Sequence, residues 1–234
     1  MDSRNGRAAL DLDALGLFAA GLINTFLASL DAGFIFGPGT AARQPDLMLR
    51  VAWIAEHPMR WKGGWFFWFA VTLSFAWSYH ALGRHLNADR PWVALAVGVA
   101  VIAAAIDLVG VIVNLTVLPE IAQALISTSV HTGLEFQVLF QALESLAYAL
   151  VNVAAFGLYT LAGLLLTPAL FATPSYPRWL AWLGAVEWSI SSLATILLVF
   201  APGLATVPLL IGFALYAPWV WASAWWLLRR KPAK

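Results

Sequence analysis

Between Pro91 and Leu118 the chain runs 28 residues with a single charge, Asp107. About 20 consecutive apolar residues suffice for a helix to cross the roughly 30 Å hydrocarbon core of a bilayer. Similar runs recur along the whole sequence, and they decide the fold class. Hydrophobic residues make up 62% of the 234 positions and charged residues only 11%, with a mean hydropathy of +0.80. A water-soluble domain carries about 25% charged residues, so this chain lacks the polar surface to stay dissolved. Lipid admits only helices and closed barrels, because every backbone polar group must be bonded internally. Barrel strands alternate polar and apolar residues, and these runs do not. The expected fold is all-α: a polytopic membrane protein of six transmembrane helices in one bundle, a single domain over 1–234.

The spans read as about 12–36, 61–82, 91–118, 134–166, 177–200 and 205–228. Pro91 opens the third at a favourable first-turn position, and Pro119 is expected to stop it. Thr167-Pro168 is expected to end the fourth. Interfacial helices are expected in the first and third loops. "PDLMLRVAWIAEH" (45–57) has helical apolar spacing, and "PEIAQALISTSVHTG" (119–133) reads as a short re-entrant or interfacial helix. Nine lysines and arginines fall on the side of the termini and four on the other, all in the first loop. That bias places both termini in the cytoplasm of a multi-pass protein.

Within 137–159, "QVLFQALESLAYALVNVAAFGLY", Gln137, Gln141, Glu144, Tyr148, Asn152 and Tyr159 project onto an arc of about 80° of a helix. The stripe is expected to face other helices or a hydrated cavity, since lipid offers amides and carboxyls no partner. Its counterparts are Asn24 and Asp31 in the first span, Asp107 and Asn114 in the third, and Gly184, Glu187, Ser191 and Thr195 in the fifth. Gly110 lets a neighbouring helix approach closely. No lysine or arginine lies deep in a span, so these carboxyls are expected to lack a cationic partner. Two readings then stand. Glu144 is neutral interhelical glue bonded to Gln141, Asn152 or Asn114, or the carboxyls bind a cation or relay protons.

Thirteen tryptophans are present. Trp61, Trp65, Trp92, Trp179, Trp182, Trp225 and Trp226 read as interfacial belt residues. Trp68, Trp77, Trp188, Trp219 and Trp221 lie deeper, where an aromatic wall beside acids could hold an organic cation. Among the four histidines, His131 and Glu135 share a helical face four residues apart and His57 lies on the same side; they are weak metal-ligand candidates. No cysteine is present, and a net charge of +1 gives no footprint for nucleic acid. No nucleophile elbow, P-loop or dinucleotide fingerprint is present, so no cofactor follows and nothing signals catalysis.

Residues 152–184, "NVAAFGLYTLAGLLLTPALFATPSYPRWLAWLG", resemble a group of bacterial six-span integral membrane proteins of unknown function. That group leads into its fifth span with a P-R-W-L-x-W-L-G-like motif, here Pro177, Arg178, Trp179, Leu180, Trp182, Leu183 and Gly184. The resemblance implies a bacterial inner-membrane location and the six-span architecture, and it implies no activity. The expected function is that of a non-enzymatic accessory subunit, or a binder of a lipid, pigment or other amphiphile in a polar-lined intramembrane cavity. Its ligand would be held by Glu144, Gln141, Asn152, Tyr148, Asp107, Asn114, Glu187 and Asp31. The alternative is a small proton- or cation-coupled transporter using Glu144, Asp107 and Glu187, and the third is a membrane enzyme with an outer-face metal site. Expected partners are membrane lipid, a larger membrane complex or a small amphiphilic ligand.

Overall fold

A computed structural model describes residues 3–27, 37–41, 44–86, 90–127 and 130–229; side chains are described from 12 to 26 in the first of these segments and from 134 in the last. All regular structure among the described residues is helical. Helix α1 (Ser3–Leu22) continues through a π-helical turn, Ile23–Leu27. Then come α2 (Leu47–Glu56), α3 (Pro58–His85) and α4 (Pro91–Ile112). A second π-helical turn, Val113–Val117, joins α4 to α5 (Leu118–Ser127). Helix α6 (Val130–Tyr148) passes through a third, Ala149–Ala155, into α7 (Phe156–Ala172). Helices α8 (Arg178–Phe200) and α9 (Thr206–Arg229) follow.

Four of these stretches are long and apolar enough to cross a membrane: Pro91–Ser127, Leu134–Ala172, Arg178–Phe200 and Thr206–Arg229. Local chemistry explains where several helices begin. The Asp46 carboxylate accepts the Leu49 amide at 3.0 Å and caps α2. Proline occupies the first turn of α3 and of α4, where its missing N–H costs nothing.

Two expected stops are absent. Residues 91–127 form one continuous helix rather than a span ending at Pro119 with a separate re-entrant segment after it. The π-helical turn accommodates the proline. Inside it Leu118 N–H bonds the carbonyl of Val113, five residues back. In that pattern the next donor would come from position 119, which has no N–H, and it would serve Asn114 O. The Trp61 indole takes its place, donating to Asn114 O at 2.6 Å. Likewise α7 runs through Pro168 to Ala172 rather than ending before it. At 1.5 Å per residue the 37-residue stretch 91–127 is about 55 Å long, far more than a bilayer core requires. Its distal part, α5, packs against the returning α6 and against α2.

All three π-helical turns contain an asparagine: Asn24, Asn114 and Asn152. Each side-chain amide donates to the carbonyl four residues earlier, at 2.9, 2.9 and 3.4 Å respectively. A π turn moves the backbone donor from the i−4 to the i−5 carbonyl, and the asparagine amide serves the carbonyl left behind.

Six helices close a ring in chain order. Each of α1, α3, α4, α7, α8 and α9 packs against the next, and α9 returns to α1. Large rings seat on glycines across these contacts: Trp77 on Gly16, Trp221 on Gly21, Trp188 on Gly163 and Trp219 on Gly184. The four tryptophans are therefore knobs whose holes are the missing side chains of neighbouring helices. Gly110 has the same role toward Val151. A separate apolar cluster fills the hairpin end, where Val51 and Ile54 of α2 meet Ile121, Ala122 and Leu125 of α5 and Phe140 of α6. Trp61 and Trp65 are buried in that cluster, and Trp226 is buried at the opposite end, rather than forming part of an interfacial belt. Trp179, Trp182 and Trp225 are exposed.

Candidate functional site

The polar stripe of α6 does not face the ring. Gln141 is exposed, Tyr148 is 45% exposed, and Asn152 is half-buried against its own helix. Glu144 is paired with Arg50, which corrects the expectation of a carboxyl without a cation. Arg50 Nη2 and Nε donate to the two carboxylate oxygens at 2.6 and 2.9 Å, a bidentate pair. Arg50 Nη1 also donates to the carbonyls of Gln44 and Pro45. The guanidinium thus ties the start of α2 to α6. The two residues lie 94 positions apart, and nothing local in the sequence joins them. Asp31 lies outside the described residues, as does the side chain of His131. Glu135 and His57 are exposed, the His57 ring lying against Trp53. Among the described residues no three histidine or acidic side chains converge as metal ligands.

Of the four carboxyls expected to share an interior, Asp31 lies outside the described residues and Glu144 is paired with Arg50; Asp107 and Glu187 are buried in the ring, at 4% and 2% exposure. Asp107 Oδ2 accepts from Thr72 Oγ1 at 2.7 Å. Asn114, expected as its neighbour, bonds the Gly110 carbonyl of its own helix. Tyr159, the last residue of the stripe, is the one that turns inward. Its hydroxyl donates to the Thr72 carbonyl at 3.3 Å, and its own carbonyl accepts from Tyr79 at 2.6 Å.

Glu187 stands on α8 at the centre of the ring. Ser191, one turn further along, donates to Glu187 Oε1 at 2.9 Å. The second oxygen, Oε2, is buried without a hydrogen-bond partner among the described residues. The carboxyl borders a cavity of about 10 Å³, close to the volume that a single water's centre needs. Phe75, Phe156, Tyr159, Trp188, Phe213 and Tyr216 supply the aromatic part of its wall, and Thr160, Ser191 and Gly212 complete it. A side chain at position 212 would meet Ser191 Oγ at 2.6 Å, so the glycine leaves that hydroxyl its place. The rings brace one another: Phe75 lies 4.7 Å from Tyr216 and 4.9 Å from Tyr159, and Trp188 meets Trp219 edge-on at 5.5 Å.

A third acid, Asp13, was not among the expected site residues. It is fully buried midway along α1, with His85 Nε2 at 2.8 Å and Arg84 at 3.4 Å from one carboxylate oxygen. The 173–177 turn is fixed to α9 by Tyr176 with Ser223 and by Trp226 with the Ser175 carbonyl. Burial pushes the Tyr176 hydroxyl up from its ordinary pKa.

Thr72, Tyr79 and Tyr216 also escaped sequence reasoning. Scattered hydroxyls inside apolar spans are their only signal, and such hydroxyls commonly bond their own helix. No protein family, no curated protein and no solved structure matches the chain.

Proposed function

We propose that the chain is a small proton- or cation-coupled carrier of the bacterial inner membrane, with Glu187 as its working carboxyl. The observation that carries this reading is the unpartnered Oε2 of a carboxyl buried among aromatic rings beside a water-sized cavity. A buried carboxylate without an ionic partner is stable only if it takes up a proton or balances a cation. Ionisable groups inside membrane spans characteristically mark ion or proton paths. Asp107, linked to Tyr159 through Thr72, is the second carboxyl of the path. Glu144 takes no part, since Arg50 already neutralises it.

In this reading α1 and α3 join the four longer apolar helices as spans, six in all. Both termini lie in the cytoplasm, in keeping with the nine-to-four lysine and arginine bias. The likeness of residues 152–184 to bacterial six-span proteins supports the location and nothing about the chemistry.

Infrared pH titration of the purified protein tests the role of Glu187. A protonated-carboxyl band that changes with pH in the wild type should be missing from Glu187→Gln. Proton flux in proteoliposomes should fall with it. Superimposable spectra and fluxes for the two proteins would sink the reading.

One observation favours the accessory-subunit alternative. Gln141, Ser145 and Tyr148 are exposed on α6 beside Val138 and Leu146, a mixed polar and apolar face of the kind that meets a partner chain or an amphiphile. Co-purification with a larger complex in mild detergent, lost on Gln141→Leu, would select it.

A further inference from the structure

The wall of the central cavity narrows what the site can hold. Six of its ten lining residues are aromatic, and only five carry side-chain oxygens: Glu187, Ser191, Thr160, Tyr159 and Tyr216, the Tyr159 hydroxyl already donating to the Thr72 carbonyl. Ser191 spends its proton on Glu187 Oε1 and Thr160 spends its own on the Phe156 carbonyl, so both hydroxyls face the cavity chiefly as acceptors. Calcium-like hard cations demand six to eight oxygens, and octahedral magnesium about six, which this wall does not supply. A water at this position could donate to Glu187 Oε2 but would not balance the charge of an ionised carboxylate. A compact cation that donates hydrogen bonds to a few acceptors and rests against ring faces matches every part of the wall.

We propose that Glu187 and the surrounding rings form a binding site for the ammonium ion. The inference rests on the reading of Glu187 as the working carboxyl and adds the class of its occupant. Ammonium is close to water in size, so it suits a cavity of about 10 Å³. Its single charge balances the one carboxylate. Its N–H groups meet Glu187 Oε2 and the hydroxyl acceptors, while Trp188, Phe213 and their neighbours face the remaining surface. Tetramethylammonium has the same charge and favours aromatic cages, but it has no N–H to donate and exceeds the space.

Thermal unfolding of the full-length protein in detergent, at constant pH and ionic strength, provides the test. Ammonium chloride, sodium chloride and tetramethylammonium chloride are the probes. Ammonium should raise the unfolding temperature saturably, at half-saturating concentrations about tenfold or more below any sodium or tetramethylammonium effect. The effect should be lost in Glu187→Gln and weakened in Ser191→Ala. The wild-type salt series decides the matter even if a variant folds poorly, because equal responses to the three salts overturn the proposal. An ammonium response that survives in Glu187→Gln overturns it as well. If infrared titration still shows Glu187 exchanging protons while ammonium has no effect, the ammonium site falls and the proton reading stands. If neither signal depends on Glu187, both fall.

Discussion

The two acidic residues most prominent in the sequence, Glu144 and Glu187, have opposite environments, and the difference lies in one arginine. Glu144 meets Arg50 in a bidentate pair whose side chains are 22% and 7% exposed, so the pair is screened only in part. Glu187 meets no cation among the described residues. At Glu144 a substitution should therefore be costly to stability and silent in the site's chemistry. Glu144→Leu strands a buried guanidinium and should cost about 1.5–3 kcal/mol, the usual worth of a hydrogen-bonded charge. Arg50→Leu should cost less, because Glu144 is the more exposed partner and can draw on water. The double variant should be more stable than the sum of the two losses implies, which denaturant or thermal unfolding in detergent measures as a coupling energy. The carboxyl band assigned to Glu187 should be unchanged throughout. A band that vanishes with Glu144 instead would reassign the working carboxyl.

At the scale of elements, the helices are held apart and in register by tryptophan rings set on glycines, and this sorts the glycines into two kinds. A methyl group on Gly163 would fall within the Trp188 indole, whereas one on Gly98, on the exposed side of α4, would meet nothing within 4 Å. Gly163→Ala should destabilise the protein by about 1–3 kcal/mol through overpacking, and should disturb the Glu187 cavity because Trp188 lines it. Gly98→Ala should be neutral or stabilise by about 0.5–1 kcal/mol, since alanine is the better helix former. Paired unfolding curves in the same detergent check both signs; equal effects would mean that the ring-on-glycine contacts do not set the packing. Part of this was legible from sequence. Glycine at 110 and the depth of Trp188 and Trp219 read correctly, because small residues and large rings in apolar runs have few other uses. The continuity of α4 with α5 did not, because Pro119 signals a stop. The indole that replaces its missing donor sits 53 residues away from the carbonyl it serves. Arg50 escaped for the same reason: its partner is set by the packing of α2, which no periodicity encodes.

For the whole molecule, the apolar runs were enough to establish a helical bundle, yet not its asymmetry. The ring holds the apolar core, and the hairpin of α5 and α6, clasped by α2, adds a second cluster at one end only. A helix of about 55 Å cannot lie wholly within a 30 Å core at ordinary tilt, so one end of 91–127 must leave the membrane. In the proposed topology, which follows the lysine and arginine bias, that end lies outside and the α7–α8 turn lies in the cytoplasm. The chain contains no cysteine, so single cysteines introduced at exposed positions report this directly. Gln123 on α5 and Pro174 in the α7–α8 turn are both exposed. In intact cells a membrane-impermeant maleimide should label Gln123→Cys rapidly and leave Pro174→Cys unlabelled until the membrane is opened. The reverse pattern would invert the topology and place the α5–α6 hairpin in the cytoplasm, while labelling of both in intact cells would rule out the six-span arrangement. Glu187 is the tenth residue of a 23-residue helix and so stands near its middle whichever way the chain is oriented. The labelling therefore fixes which compartment the hairpin faces without bearing on whether the central carboxyl binds its cation.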